Sequence, residues 1–151
     1  MKLKDLIGSG DKIMLFTLPF IIITILINIR IPSFFSIGQA SIVLRIVSFV
    51  ILILGILIWI WCVVLILFKV SKNELIRKGP YSLIKHPLYT NMAFLVLPWI
   101  GFLLNSWLGL LFGIIVYSGS RIFSPQEEKK LSQAFGVAWY EYRKKVKIPW
   151  L

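Results

Sequence analysis

Side chains able to do chemistry are concentrated in two stretches of this chain. The first is Lys78-Gly79-Pro80-Tyr81-Ser82-Leu83-Ile84-Lys85-His86-Pro87-Leu88-Tyr89, which contains the one histidine of the sequence. Each proline pushes its predecessor away from helical geometry, so the backbone here is irregular and its polar groups need partners outside a helix. At membrane depth such backbone survives only where it is buried in protein or lines a wet cavity. His86 and Tyr89, three residues apart, fall on one face at the mouth of the helix that follows. An interface loop with Tyr81 and Tyr89 as belt aromatics would use the same residues without any chemistry.

The second stretch runs from Arg121 to the C terminus and carries Glu127-Glu128, two of only six acids in the chain. A helix N-terminus stabilises an anion by about 0.3–1 kcal/mol, which gives both glutamates a structural role. A pocket shared by Tyr81, Lys85, His86, Tyr89, Arg121, Glu127 and Glu128 would give them a chemical one. That inventory fits S-adenosylmethionine: carboxylates for its amine and ribose hydroxyls, a cation or histidine for its carboxylate, rings for its adenine. Methyl transfer from a sulfonium is an in-line displacement that depends chiefly on proximity and alignment. A phospholipid headgroup suits the same inventory. With one cysteine, Cys62, and one histidine, neither a disulfide framework nor a His/Cys metal cluster is expected. No strand-plus-GxGxxG unit is present, since Gly8-Ser9-Gly10 precedes an apolar segment and follows no strand.

The elements that must position these residues follow from composition. Of 151 residues 58% are apolar and 15% charged, with 17 Lys+Arg against 6 Asp+Glu and a formal net charge of +11. A soluble domain is nearer a quarter charged, so a soluble single domain and a disordered chain are both excluded. With a mean hydropathy of +0.87, the cations point to an anionic membrane surface and away from nucleic acid. Charge gaps mark four transmembrane helices at about 13–29, 43–68, 88–104 and 107–123, the last two divided at Asn105-Ser106. The first covers about 26 Å, a little short of a hydrocarbon core of about 30 Å, and should stand nearly upright.

The expected fold is thus an all-α integral membrane protein, one domain over 1–151, with an N-terminal helical pair at 13–68 and a C-terminal amphipathic helix. Lys2, Lys4 and Lys12, then Lys69, Lys72, Arg77, Lys78 and Lys85, then Lys129, Lys130, Arg143, Lys144, Lys145 and Lys147 share one side of a four-span topology. The positive-inside rule makes that side, with both termini, cytoplasmic. Ser124-Pro125-Gln126-Glu127 reads as a capping box with proline in the first turn, so a new helix is expected to begin there. Along it Leu131, Phe135, Ala138, Trp139, Tyr142 and Val146 recur every three or four residues, the apolar stripe of a membrane-surface or docking helix. Gly136, about 1 kcal/mol less favourable than Ala in a helix, is expected to break it.

The run Gly79-Pro80-Tyr81-Ser82-Leu83-Ile84-Lys85-His86-Pro87-Leu88-Tyr89 resembles the G-x-Y-x-x-x-R-H-P-x-Y motif of the isoprenylcysteine carboxyl methyltransferase and phospholipid methyltransferase superfamily. Glu127-Glu128-Lys129-Lys130-Leu131, with Phe135-Gly136, Trp139, Tyr142 and Val146, is similar to that family's E-E-x-x-L-x-x-x-F-G-x-x-Y-x-x-Y-x-x-x-V. A helical hairpin separates the two motifs, as in the family, and the resemblance covers about residues 75–151. It implies an integral-membrane methyltransferase whose S-adenosylmethionine pocket is roofed by cytoplasmic segments and whose lipophilic acceptor arrives from the bilayer. By position, Tyr81, Lys85, His86, Pro87 and Tyr89 would line the cofactor site, Glu127 and Glu128 would hold its polar groups, and Glu128 and Arg121 would serve catalysis. Arg121 would orient the acceptor, although Phe123-Ser124-Pro125-Gln126 makes the intervening segment longer than usual. Lys85 replaces the family's arginine, Asn91 stands where glycine is common, and Trp139 replaces a tyrosine. Lysine keeps the charge and loses bidentate geometry.

The resemblance leaves carboxylate O-methylation and lipid-amine N-methylation both open. Two other classes remain: a nicotinamide-dependent reductase of the sterol reductase type, which carries a similar R-H-P-x-Y segment, and a non-catalytic lipid-binding scaffold.

Overall fold

Long runs of Ile, Leu, Val and Phe leave the backbone no polar partner except itself, so the chain resolves these runs into helices. The computed structural model describes residues 10–70 and 72–148. Lys2, Lys4, the Gly8-Ser9 pair and residues 149–151 of the expected core lie outside them. The described chain forms α1 (Gly10–Arg30), a short 3-10 turn (Pro32–Phe35), α2 (Ile42–Val70), a second 3-10 turn (Gly79–Ser82), α3 (Pro87–Leu103), α4 (Leu108–Phe135) and α5 (Val137–Lys145). It contains no β-strand among the described residues, only two isolated bridges. Three helices are long and apolar enough to cross a membrane: α1, α2 and α4. The fourth expected span, α3, is apolar but shorter, at about 26 Å.

Helix α3 is not uniform. Pro87–Asn91 and Leu97–Leu103 are α-helical, and Met92–Val96 between them is a π turn. Pro98 explains the widening: it has no N–H for the carbonyl of Phe94, four residues back, and its ring crowds that oxygen. The indole Nε1 of Trp99 donates to Phe94 O at 3.1 Å and satisfies it instead. Asn91, just before the π turn, donates its Nδ2 to Gly55 O of α2 at 2.8 Å and so ties two helices together.

α3 packs against α2 and α4, and α1 packs against α4. Backbones meet closely where side chains are absent. A Cβ on Gly109 would lie 2.1 Å from Leu97 O, and one on Gly113 would lie 2.3 Å from Ala93 O. Such small residues let membrane helices pack by backbone contact. The α3–α4 turn falls at Asn105-Ser106 as expected, with Asn105 left-handed at φ 57°. It is tied to the α1–α2 connection: Asn105 Oδ1 accepts from Ala40 N, Asn105 Nδ2 donates to Gly38 O, and Trp107 N donates to Phe35 O at 2.8 Å. Both connections therefore lie at one end of the bundle, and the basic segments lie at the other.

One expectation about the C-terminal half is corrected. No helix starts at Ser124-Pro125: α4 runs unbroken through Pro125 to Phe135, and Ser124 is helical and buried. A proline inside a helix removes one hydrogen bond, and here the packing of α4 against α1 and α3, with Leu131 buried, offsets that loss. The apolar stripe is turned inward. Leu131, Trp139, Tyr142 and Val146 form a buried cluster, with Leu75 and Phe135 packed against it. The break at Gly136 does occur, at φ 50° and ψ −125°, a conformation that only glycine adopts without strain. It folds α5 back so that the stripe meets the loop before α3.

Candidate functional site

The site lies at the end of the bundle where α2, the loop leading to α3, α4 and α5 meet. Helix α2 ends in a turn through Asn73, left-handed at φ 53°, with Lys72 N and Glu74 N both donating to Lys69 O. Asparagine tolerates that conformation better than most side chains. The turn brings Glu74 back onto Lys69, with which it forms an ion pair.

Gly79 then opens the 3-10 turn at φ 63°, where a Cβ would meet the Trp61 ring at 3.0 Å. Only glycine satisfies both the backbone and the contact. Pro80 O accepts from Leu83 N and Ile84 N at 3.1 and 3.2 Å, which directs Tyr81 inward and brings the chain to Lys85 and His86. His86 has φ −122°, outside the helical region, as a residue before proline requires. Its side chain caps no helix and is left to reach across the bundle.

That reach meets α4. Lys85 Nζ donates to Glu128 Oε1 at 2.5 Å, and His86 Nε2 lies 3.3 Å from the same oxygen. Beside an ionised Glu128, Nε2 must carry the proton and donate. The Lys85 and His86 side chains are 9% and 10% exposed, so this triad is enclosed and poorly screened. Burial by itself would push the Glu128 carboxyl up; the hydrogen bonds and charges of His86 and Lys85 outweigh it and hold the group down at about 2. Glu128 stands where α4 has passed beyond its apolar run.

From α5, Tyr142 Oη donates to Tyr81 O at 2.7 Å, and beyond the helix Ile148 N donates to Leu83 O at 2.9 Å. The parallel bridge between Ile84 and Ile148 completes this clasp. Together these elements enclose a cavity of about 700 Å³, open solvent at its mouth included. Its polar lining includes Tyr81, Lys85, His86, Tyr89, Glu127 and Tyr142, with Glu74 at hand, and its apolar wall includes Leu75, Leu131, Phe135 and Trp139. Burial raises the Tyr81 phenol far above its ordinary value, so it is a proton donor at neutral pH. The Tyr142 phenol is raised as well, by burial and then by Glu128.

Of the residues singled out in the sequence, Tyr81, Lys85, His86, Tyr89 and Glu127 line this cavity. Glu128 does not line it; it holds Lys85 and His86 in place from α4. Pro87 is the buried first residue of α3 and likewise sits outside the lining. Arg121 is exposed and lies on α4 about 9 Å before Glu127, outside the cavity. Glu74, whose place depends on the Asn73 turn, carries no signal in the sequence, where Trp139 and Tyr142 belong to the stripe of a membrane-surface or docking helix. Among the described residues no cluster of three or more His, Cys, Asp or Glu is arranged to hold a metal.

Comparison with protein-family models, with curated proteins and with solved structures gives no match for this chain. The function must be argued from the cavity.

Proposed function

We propose that this protein is a membrane-embedded, S-adenosylmethionine-dependent methyltransferase acting on a lipophilic acceptor. The observation that carries the reading is the single cavity lined by Tyr81, Lys85, His86, Tyr89 and Glu127 from two stretches forty residues apart, with Trp139 as an aromatic wall. The donor set suits this cofactor. Glu127 and Glu74 offer acceptors for ribose hydroxyls and an ammonium group, Lys85 and His86 offer charge for a carboxylate, and Trp139 offers a face for a purine. When bound, the cofactor would supply a methyl on a sulfonium for in-line displacement by the acceptor. The chain's own part is orientation and exclusion of water. Glu128 fixes Lys85 and His86, Tyr142 fixes the Tyr81 turn, and the apolar wall keeps the reacting end dry.

In this reading α3 is the fourth span, tolerated at its length because it packs between α2 and α4. The clustered cations make the cavity end cytoplasmic, with both termini on that side. Arg121, closer to the membrane than Glu127, is then the residue to orient a carboxylate acceptor, and an amine acceptor would have Glu74 or Glu127 beside it.

Calorimetric titration of the detergent-purified protein tests the reading. S-adenosylmethionine and S-adenosylhomocysteine should bind at micromolar level, and His86→Ala and Glu127→Gln should each weaken binding at least about tenfold, the worth of one charge-assisted hydrogen bond. No binding to a folded, lipid-supplemented sample would sink it. Binding of reduced nicotinamide in its place would move the protein to the reductase class, and binding of neither would leave a lipid-binding scaffold.

A further inference from the structure

Tyr142 also lines a second recess, together with Arg77, Ser82, Lys145 and Val146, enclosing about 370 Å³ with its open mouth. No acid lines it. Arg77 lies in the loop after α2 and Lys145 closes α5, yet the Ile148–Leu83 and Tyr142–Tyr81 hydrogen bonds bring both segments to one place. Glu141 sits one turn before Lys145 on α5, the spacing at which an ion pair could form. It forms none: among the described residues neither Arg77 nor Lys145 is ion-paired to any carboxylate. Two cations facing one recess repel each other, and a chain with 17 basic and 6 acidic residues has few anions to relieve them. A guanidinium fork beside a mobile ammonium is the donor pair that matches a tetrahedral oxyanion.

We propose that this recess is a phosphate-binding site, with Arg77 and Lys145 as its two ligands. The proposal stands apart from the methyltransferase reading, since neither cation lines the larger cavity. The phosphate is that of a lipid headgroup or a free one, and the chemistry of capture is the same.

The test uses the full chain in phosphate-free detergent. Its thermal midpoint is followed against inorganic phosphate, and separately against dihexanoyl phosphatidylglycerol, with chloride holding ionic strength constant. The wild type should show a saturable rise with at least one probe. Arg77→Gln and Lys145→Gln should each shift the half-saturating concentration upward, and the double variant should shift it at least about tenfold. A control of equal charge change, Lys129→Gln with Lys130→Gln, should leave it where it was. A response to inorganic phosphate identifies a free-phosphate site, and a response to the lipid alone identifies a headgroup site; either supports the proposal. No saturable response to either probe, or an equal loss in the control, overturns it. Both side chains are exposed, so the substitutions remove no packing.

Discussion

Glu128 takes Lys85 and His86 on one carboxylate oxygen, and this fixes how the site responds to pH. Its folded-state value, about 2, is below the ordinary 4.5, so the triad's contribution to stability is fully present above about pH 4.5 and is lost as pH falls through about 2. The thermal midpoint of Glu128→Gln should therefore lie a constant interval below that of wild type from pH 8 to 5, and the gap should close on further acidification. A gap that closes already at pH 6 would mean that Lys85 and His86 do not hold the Glu128 carboxyl down in the folded protein. Lys85→Arg keeps the charge and should retain most of the midpoint, whereas Lys85→Ala leaves Glu128 enclosed beside histidine alone. At this scale the sequence was informative where residue type and irregular backbone coincided: Tyr81, Lys85, His86 and Tyr89 flank two prolines, and the acids are so few that Glu127-Glu128 stand out. Glu74 was not legible, because its role follows from the left-handed Asn73 and not from any spacing.

At the scale of elements, the amphipathic stripe was legible and its partner was not. Spacings of three and four identify one apolar face, but a bilayer and the loop before α3 present equally apolar surfaces to it. What decides between them is Gly136, whose conformation turns α5 back. Gly136→Ala should cost about 1–3 kcal/mol, the range for a residue forced into a sparsely populated backbone region, although a Cβ there meets nothing within 4 Å. Trp139→Ala, at a position 2% exposed, should cost about 3–5 kcal/mol and open the cavity wall. Reversible denaturation in detergent would measure both. If Trp139→Ala cost less than 1 kcal/mol, α5 would be held elsewhere, and the stripe would belong to the membrane after all. The prolines show the limit of local rules. Pro98 widens α3 into a π turn because Trp99 supplies the missing donor, and Pro125 passes through α4 with the helix intact. A local side-chain donor in the first case, and the packing of α4 against α1 and α3 in the second, override a breaker that sequence patterns treat as a boundary.

For the whole molecule, charge gaps located the helices to within a few residues except at the end of α4, where an apolar count stops at 123 and the helix continues to Phe135. Sidedness is testable because Cys62 is the only cysteine. In a Cys62→Ala background, Lys130→Cys and Arg77→Cys should react with a membrane-impermeant maleimide only from the cytoplasmic side, and Gln39→Cys only from the other. Labelling of all three from one side would overturn the four-span topology. The clasp between Ile148 and Leu83 has a further bearing, on how the protein is made. One wall of the cavity lies within residues 74–89, and the other begins at Glu127 and is pinned by the peptide N–H of Ile148. During translation α1, α2 and α3 are complete while the cavity has only one wall. The nascent chain therefore carries an open, half-built site until α4 and α5 follow, and a product interrupted at Gly136 would hold every apolar helix yet lack Trp139 and the clasp.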